Sequence, residues 1–324
     1  MRGRFAPSPS GRMHLGNVYS ALLSYLSAKK KNGEWILRIE DLDRQRCKKE
    51  YSVQLLDDLL WLGLKWDNFS HEKGGNVSAH GLSLGLAPEF FQSNRDSFYI
   101  NAFDSLCEQG LVYDCFCRRA DLLASSAPHS CDGKPVYSGK CRNLSEVDRA
   151  LLSKTRAPSK RLSVPDKIIS FEDGHFGFQE CNLSRDAGDF IIRRADGNFA
   201  YQLAVVVDDA LMGVSEVVRG RDLISSTFEQ LYLYEMLSLT PRDFFPQFYH
   251  IPLLLSPDGR RLSKRDKDTD MGFLRENYRP EKLIGKILFL SGCIEKEEEL
   301  SLSEAILAFD WKKVKKEDVF VQGL

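Results

Sequence analysis

A strand, a turn rich in proline and glycine, and the start of a helix follow one another in Arg4-Phe5-Ala6-Pro7-Ser8-Pro9-Ser10-Gly11-Arg12-Met13-His14-Leu15-Gly16-Asn17. Residues 2–6 have the pattern of a short strand, which the following breakers end. A helix N-terminus exposes unpaired N–H groups and the positive end of the helix dipole, so this turn could bind a phosphate. His14 would contact the phosphate, and Gly16 would leave space for a flat ring on the backbone. The alternative is a capped helix with an incidental histidine.

The segment after this turn predicts an α/β fold. One apolar helical face is formed by Val18, Ala21, Leu22, Tyr25 and Leu26. Residues 29–31 are lysines that suit a last turn, Gly33 suits a C-cap, and residues 35–39 form the next strand. Strand, helix and strand of these lengths predict a right-handed crossover in a parallel, Rossmann-type sheet.

Local patterns predict further elements along the chain. Helices are predicted at Tyr51–Leu62, Phe98–Gln109, Asp222–Leu237, Pro280–Leu290 and Ser303–Phe309. Strands are predicted at Asp189–Arg194, Phe199–Val207, Ser215–Val218 and His250–Leu255, with a hairpin turn at Asp196-Gly197. Ser70–Ser93 is predicted to be an irregular surface insertion, because its periodicity is weak and it contains four glycines.

Length and composition bound the class of protein. The 324 residues indicate about two domains, or one large domain with an insertion. A net charge of −1 excludes a globally basic nucleic-acid coat, although a local basic face remains compatible with it. No apolar run reaches the roughly 18 residues that span a bilayer, and the N-terminus lacks the apolar core of a signal peptide. A cytoplasmic enzyme is therefore expected.

A second constellation is the basic stretch Asp258-Gly259-Arg260-Arg261-Leu262-Ser263-Lys264-Arg265-Asp266. Four cations in six residues, on a loop after a turn, could close over a polyphosphate. A solvated surface loop is the alternative.

Together the two constellations resemble the class I aminoacyl-tRNA synthetases. His14–Asn17 is similar to the HIGH element of that family, and Arg261–Arg265 is similar to its KMSKS element. The departures from the two motifs, Asn17 and Arg261, both occur in the glutamate-type branch. Arg4–Gly11 and Arg38–Asp43 also resemble that branch, and the resemblance covers the chain except Ser70–Ser93.

The resemblance implies ATP-dependent activation of L-glutamate, with Mg²⁺ on the triphosphate. The implied catalytic residues are His14 and Lys264. The implied ATP-binding residues are Gly16, Asn17, Arg261, Leu262, Ser263, Lys264 and Arg265. The implied glutamate-binding residues are Arg4, Ala6, Ser8, Glu40, Tyr201 and Arg219. A surface salt bridge is the alternative for Arg219, but its place directly after a predicted strand, at the ligand-binding edge of the sheet, favours binding.

A third constellation consists of cysteines. Cys115-x-Cys117, followed by Cys141, looks like a structural zinc site, and three unconnected thiols are the alternative. Cys131 would complete a four-cysteine site. The resemblance implies instead that the hydroxyl of Tyr137 is the fourth ligand, because short glutamate-type relatives use Tyr-x-x-x-Cys. The other cysteines do not suggest a disulfide framework, since the chain is long and shows no export signal.

The resemblance also implies a domain plan and partners. Residues 1–110 and 188–245 would form the two halves of the catalytic domain, residues 111–187 an inserted zinc-bearing subdomain of the acceptor-end type, and residues 246–324 the KMSKS-type loop with a short helical stem-contact region. The chain beyond Arg265 is expected to be too short for an anticodon-binding domain. This short architecture resembles that of the glutamyl-Q tRNA(Asp) synthetases, a group of short paralogues in this branch. The implied acceptor is then tRNA(Asp) bearing queuosine, and the expected state is a monomer. Two alternatives stay open: a truncated glutamyl-tRNA synthetase that charges tRNA(Glu), and an RNA-binding paralogue without catalysis.

Overall fold

The computed structural model describes residues 1–68, 85–118, 136–239, 245–260, 262 and 269–321. The strands are β1 (Arg2–Phe5), β2 (Glu34–Leu37), β3 (Val112–Cys115), β4 (Ser159–Leu162), β5 (Ile168–Asp173), β6 (Gly177–Asn182), β7 (Phe190–Arg193), β8 (Glu216–Gly220), β9 (Gln247–Ile251), β10 (Leu254–Leu255) and β11 (Val319–Phe320). The α-helices are α1 (Leu15–Lys30), α2 (Lys49–Trp61), α3 (Asp96–Glu108), α4 (Glu146–Ser153), α5 (Tyr201–Leu211), α6 (Ile224–Leu237), α7 (Met271–Asn277), α8 (Pro280–Ser291) and α9 (Leu302–Ala308).

The predicted parallel sheet is confirmed. Its strand order is β2-β1-β8-β9, and every neighbouring pair is parallel. The connection from β1 through α1 to β2 is the crossover expected from the first forty residues. Apolar side chains of α1, from Leu15 to Ala28, are buried against the sheet, whereas Lys29 and Lys30 lie in its last turn, where cations interact favourably with the helix dipole.

A smaller antiparallel region lies between the strands of the main sheet in the sequence. Its three-stranded sheet has the order β3-β4-β7, and β5 and β6 form a separate hairpin. The three-stranded sheet takes β3 and β4 from the predicted inserted subdomain and β7 from the predicted second half of the catalytic domain. The β5–β6 hairpin contacts the main sheet at β9, where the Gly174 N–H donates to the Phe248 carbonyl at 2.8 Å.

One predicted strand is wrong. Phe199–Val207 was expected to pair across the Asp196-Gly197 turn, but most of it belongs to helix α5. The turn itself forms, with the Gly197 N–H donating to the Arg194 carbonyl at 3.0 Å and Phe199 bridging to Arg193. The run Val205–Val207 has the β-branched composition of a strand. All three side chains are buried, however, and a buried helix lacks the amphipathic pattern by which a helix is recognised in a sequence.

The predicted irregular insertion at Ser70–Ser93 lies partly outside the described residues. Within the described part, Pro88–Phe90 and Gln92–Asn94 form short 3₁₀ helices, and Phe91 and Gln92 are buried. This end of the segment is therefore packed against the domain, unlike the surface loop that was expected.

The remaining predicted helices, and the strands at Asp189–Arg194 and Ser215–Val218, are found within two residues of their expected bounds. His250–Leu255 is divided between β9 and β10, because Pro252 lies between them and has no N–H to donate. Of the helices in the described part of the chain, none is long and apolar enough to cross a membrane.

Candidate active site

One cavity of about 410 Å³ opens at the carboxyl ends of β1 and β8, beside the N-terminus of α1. Ligands bind at this edge of parallel α/β sheets. The predicted site residues that line it are Arg4, Ala6, Ser8, His14, Asn17, Glu40, Tyr201 and Arg219. The fold thus brings together residues that are up to 215 positions apart in the sequence.

The N-terminus of α1 presents His14 to this cavity in a defined orientation. His14 is the N-cap, and its Nδ1 accepts a hydrogen bond from the Gly16 N–H at 3.1 Å. Asn17 completes a capping box, since its Oδ1 accepts from the His14 N–H at 3.2 Å. Because Nδ1 is the acceptor, the neutral imidazole carries its proton on Nε2 and can donate with that atom.

Gly16 has a local role that the sequence did not indicate. A Cβ at this position would lie 3.0 Å from Cε1 and 3.1 Å from Nδ1 of His14. Glycine therefore leaves space for the capping imidazole itself, which differs from the expected space for a flat ligand ring.

Arg4 reaches the cavity from β1 and is held by a buried carboxylate. Its Nε donates to Asp209 at 3.3 Å, and the same carboxylate accepts from Arg38 Nη1 at 2.5 Å. Arg38 in turn donates to Glu40 at 3.2 Å. Burial opposes ionisation of Asp209, but the charges of Arg38 and Arg4 outweigh it and lower the pKa of that carboxyl. Neither Asp209 nor Arg38 was singled out as a site residue.

Glu40 is the carboxylate of the cavity on the β2 side. Burial raises the pKa of Glu40, although the positive charges of Arg38 and Arg4 act in the opposite direction. Its carboxylate therefore stands in a poorly solvated position next to cations, where an ammonium group of a ligand would compensate its charge.

Arg219 lies within β8 and not after it, and its side chain is only 6% exposed. The alternative of a surface salt bridge therefore does not describe it. Its Nη2 donates to Thr227 Oγ1 at 2.7 Å, Nη1 approaches the Tyr201 hydroxyl at 3.5 Å, and Nε donates to His250 Nε2 at 3.1 Å. Burial lowers the pKa of this guanidinium, which still stays protonated at physiological pH.

The basic constellation is described only in part. Arg261, Ser263, Lys264 and Arg265 lie outside the described residues, so their predicted roles stay predictions. Leu262 is buried in the core, and its N–H donates to the Leu254 carbonyl at 3.2 Å. The preceding turn forms as expected, with the Gly259 N–H donating to the Ser256 carbonyl at 2.9 Å.

Three of the predicted metal ligands come together at the end of β3. The sulfur atoms of Cys115, Cys117 and Cys141 lie within 4.8 Å of one another. The Tyr137 hydroxyl is 3.4 Å from Cys115 Sγ and 3.8 Å from Cys117 Sγ. The alternative of three unconnected thiols is therefore wrong. Cys131, the rival fourth ligand, lies outside the described residues.

The donor set fits a tetrahedral zinc ion. Sulfur ligands about 2.3 Å from zinc lie about 3.8 Å from one another in a tetrahedron, and the sulfur atoms of Cys117 and Cys141 are 3.6 Å apart. Arg161 supports the cluster from outside, because its Nε donates to Cys115 Sγ at 3.2 Å and its guanidinium lies 3.8 Å from the centre of the Tyr137 ring.

Comparisons with known proteins agree with this geometry. A family model described as "tRNA synthetases class I (E and Q), catalytic domain" matches residues 1–322. The glutamyl-Q tRNA(Asp) synthetase of Symbiobacterium thermophilum is 43% identical, over 98% of this chain and 94% of that relative. The protein of the same name from Nitratidesulfovibrio vulgaris is 41% identical, over 91% and 87%. A glutamate–tRNA ligase of Sulfurihydrogenibium sp. is 40% identical, over 97% of this chain and 63% of the relative.

Among solved structures, a glutamate tRNA ligase from Elizabethkingia meningosepticum in complex with its amino acid superposes with a TM-score of 0.76 at 30% identity. The match covers 99% of this chain but only 66% of that one, so the chain spans just under two thirds of the solved ligase. A glutamate-tRNA synthetase from Elizabethkingia anophelis gives a TM-score of 0.77. This chain therefore belongs to the class I aminoacyl-tRNA synthetases of the E and Q type, through their catalytic domain, and is an ATP-dependent ligase.

Proposed function

We propose that this protein activates L-glutamate with ATP in the absence of tRNA, and then transfers the glutamyl group to the queuosine base in the anticodon of tRNA(Asp). The observation that carries the first half is the charge pattern of the cavity. Two buried guanidinium groups, of Arg4 and Arg219, and one buried carboxylate, of Glu40, line the same space, and the half-buried Asp222 carboxylate lies at its β8 side. Glutamate has two carboxylates and one ammonium group, which is the complementary set.

In the activation step, an oxygen of the α-carboxylate attacks the α-phosphorus of ATP. The bond from that phosphorus to the bridging oxygen of the β-phosphate breaks, pyrophosphate leaves with the electron pair, and a mixed anhydride forms. The protein contributes position and electrostatic stabilisation to this in-line displacement. Mg²⁺ bound to the ATP would neutralise phosphate charge.

His14 and Lys264 are the groups we assign to the phosphate oxygens. The capping bond at Nδ1 leaves the Nε2–H of His14 as the donating atom, next to the positive end of the α1 dipole. Lys264 would supply a full positive charge from the basic loop. Gly16, Asn17 and the other residues of that loop, including Ser263 and Arg265, would surround the nucleotide. Leu262 would contribute through its backbone, because its side chain is buried.

In the transfer step, a hydroxyl of the acceptor attacks the anhydride carbonyl, and AMP leaves. Support for queuosine as the acceptor comes from the relatives: two proteins named glutamyl-Q tRNA(Asp) synthetase match this chain over 94% and 87% of their own lengths. Residues 111–187 would receive the RNA, and the helical residues after 246 would contact it. The monomeric state and the cytoplasmic location remain predictions.

We further propose that Cys115, Cys117, Cys141 and the Tyr137 hydroxyl hold one structural zinc ion. A closed four-ligand site has no open position for a substrate, so its role is to fix the loops around β3. Those loops belong to the region that we assign to RNA binding.

The test separates the two halves of the proposal. Glutamate-dependent exchange of pyrophosphate into ATP is measured first, without tRNA, and its absence would overturn glutamate activation. Lys264→Ala is expected to lower the exchange rate about 100-fold, equivalent to about 3 kcal/mol, which is the scale of losing one preorganised charge contact. Labelled glutamate is then offered to tRNA(Asp) with and without queuosine, to tRNA(Glu), and to queuosine-bearing tRNA(Asp) that lacks its 3′-terminal adenosine.

Product is expected on both queuosine-bearing tRNA(Asp) samples and on no other. Product on tRNA(Glu), or loss of product on removal of the 3′ adenosine, would identify a glutamate–tRNA ligase acceptor instead. That alternative is kept because a glutamate–tRNA ligase is 40% identical to this chain.

A further inference from the structure

We propose that Asp173 and His250 act as positioning residues for Arg219, and that through it they control the affinity for the amino acid. Neither residue lines the cavity. Asp173 ends strand β5 of the hairpin, and His250 lies on β9, which is the edge of the main sheet. The inference rests on the proposed function, because it assumes that Arg219 binds a carboxylate of glutamate.

The three side chains form a continuous buried row. Arg219 Nε donates to His250 Nε2 at 3.1 Å, and His250 Nδ1 lies 2.6 Å from Asp173 Oδ2. His250 is 0% exposed and Asp173 is 2% exposed. A guanidinium can only donate, so Nε2 must be the acceptor and the ring proton must be on Nδ1, where it is donated to the carboxylate. The contacts on both sides of the ring therefore select one tautomer.

The ring must also be neutral for this arrangement. A second proton on Nε2 would bring two donors, and two positive charges, against each other at 3.1 Å. Burial and the charge of Arg219 lower the pKa of His250 to about 4, against the opposing effect of the Asp173 carboxylate. His250 is therefore a neutral acceptor at physiological pH.

Packing fixes the row in place. The ring of Phe248 lies parallel to the ring of His250, at 6.3 Å between centroids, and the Arg219 guanidinium is 5.4 Å from the centre of the Phe248 ring. The Asp173 carboxylate accepts the backbone N–H groups of His175 at 3.0 Å and Phe176 at 2.8 Å. These contacts tie its orientation to the hairpin turn, so the hairpin decides where the guanidinium of Arg219 is held.

Gly174 lets the hairpin approach β9 closely enough for this contact. A Cβ at Gly174 would lie 2.2 Å from Cε1 of Tyr249, which is far inside van der Waals contact. A side chain at this position would push the hairpin, and Asp173 with it, away from His250.

Asp173→Asn is the decisive variant. The backbone N–H groups of His175 and Phe176 retain the amide oxygen, since an amide nitrogen facing them would place donor against donor. The amide nitrogen then takes the place of Oδ2, 2.6 Å from His250 Nδ1, and donates to it, while the His250 backbone N–H, which lies 3.3 Å from Oδ1 and 3.2 Å from Oδ2 in the wild type, keeps Oδ1 as its acceptor. The ring proton must move to Nε2, which changes from an acceptor of the Arg219 N–H into a donor against it. The corresponding substitution at the aspartate of a serine-protease triad likewise traps the wrong histidine tautomer.

The readout that a merely structural role would not produce is the tautomer itself. Histidine ¹⁵N labelling reports it, because protonated and unprotonated ring nitrogens give well-separated shifts, and His250 is assigned from the signal that His250→Gln removes. We expect the Nδ1–H tautomer in the wild type and the Nε2–H tautomer in Asp173→Asn. The Michaelis constant for glutamate in pyrophosphate exchange is expected to rise at least tenfold in Asp173→Asn, and that for ATP to stay within twofold.

Three further variants keep the test falsifiable if Asp173→Asn folds poorly. His250→Leu removes the acceptor and is expected to match Asp173→Asn, whereas His250→Gln keeps an acceptor near the Nε2 position and is expected to recover most of the glutamate affinity. His175→Gln is the matched control. It alters a buried histidine of the same turn, whose Nε2 contacts the Lys315 carbonyl at 2.9 Å and not Arg219.

The outcomes separate this inference from the proposed function. No glutamate-dependent exchange in the wild type overturns the proposed function. A second outcome would overturn the positioning role alone: Arg219→Lys impairs the exchange, but Asp173→Asn and His250→Leu leave the Michaelis constant for glutamate unchanged. In the Arg219→Lys background, which has no Nε–H to orient, Asp173→Asn is expected to add less than a twofold effect; a full tenfold effect there would mean that Asp173 acts independently of Arg219.

Discussion

Asp209→Asn tests the arrangement that holds Arg4 and Glu40 around the cavity. The Asp209 carboxylate is 3% exposed and contacts two guanidinium groups, at 3.3 Å from Arg4 and 2.5 Å from Arg38. Arg38 is fully buried and also donates to Glu40. One carboxylate thus links the residue proposed to bind a substrate carboxylate to the residue proposed to bind the substrate ammonium.

The expected cost follows from the burial of this pair. Removing one partner of a buried ion pair costs about 3–5 kcal/mol, because the other charge is left uncompensated. Asparagine keeps one acceptor oxygen of the same shape, and Arg38 keeps Glu40 at 3.2 Å and Asp208 at 3.6 Å. We therefore expect the lower end, about 3 kcal/mol in the free energy of unfolding. Arg4 loses its only salt bridge among the described residues, so the Michaelis constant for glutamate should rise about tenfold or more, equivalent to about 1.4 kcal/mol.

The assay combines urea unfolding with pyrophosphate exchange on the same preparation. Glu235→Gln is the matched control, since its carboxylate pairs with Lys167 at 2.6 Å in a position where both side chains are more than 40% exposed. Such a pair contributes about 0–1 kcal/mol, and the control should leave glutamate binding unchanged. An Asp209→Asn variant with less than about 1 kcal/mol of destabilisation and an unchanged glutamate Michaelis constant would refute the reasoning.

Three other predictions concern the helix cap, the cysteine cluster and the buried histidine. Gly16→Ala should leave the free energy of unfolding nearly unchanged, since the better helix propensity of alanine offsets the disturbed cap. It should lower the pyrophosphate exchange rate, because the new Cβ would lie 3.0 Å from the His14 ring, and an unchanged rate would show that the position of that ring is unimportant. Tyr137→Phe should weaken zinc binding in a chelator competition while Cys131→Ala does not, and the reverse order would assign the fourth ligand to Cys131. His250 stays unprotonated in the folded state down to a pKa of about 4, whereas the unfolded chain binds the proton near 6.5, so stability present above pH 6.5 is lost as the pH falls. The loss from pH 7 to pH 5 is about 2 kcal/mol by linkage, and urea midpoints of His250→Gln should fall less over that range.

Features encoded in contiguous sequence were predicted well. The strand, turn and helix around His14 gave the parallel crossover, because breakers and a single apolar face are local signals. The family resemblance then selected Arg4, Glu40 and Arg219, and all three side chains reach one cavity. The roles of these residues remain predictions until the exchange assay is made.

Features that depend on distant partners were missed. Asp173 and His250 are 77 residues apart and meet only because the hairpin folds back onto β9. No spacing in the sequence marks such a pair, and the same is true of Asp209 beneath Arg4, 205 positions away. The strand predicted over the valines of α5 was wrong for a related reason. Neighbouring elements bury these side chains, so the sequence shows no helical periodicity, and the β-branched composition alone indicates a strand.

The two cavity arginines differ in how their charge is balanced, and this difference bears on what they do. Arg4 contacts the Asp209 carboxylate, so part of its charge is neutralised before any ligand arrives. The hydrogen-bond partners of Arg219 in the described part of the chain are the neutral His250, Thr227 and Tyr201 side chains and one carbonyl. A buried cation whose hydrogen-bond partners are neutral attracts an anion more strongly than one that already forms a salt bridge, because a bonded carboxylate neutralises part of the charge before the ligand arrives. If Arg219 binds a substrate carboxylate, as we propose, its orientation is expected to matter more than that of Arg4, and a neutral histidine acceptor beside it leaves its charge available where an acidic residue would neutralise it.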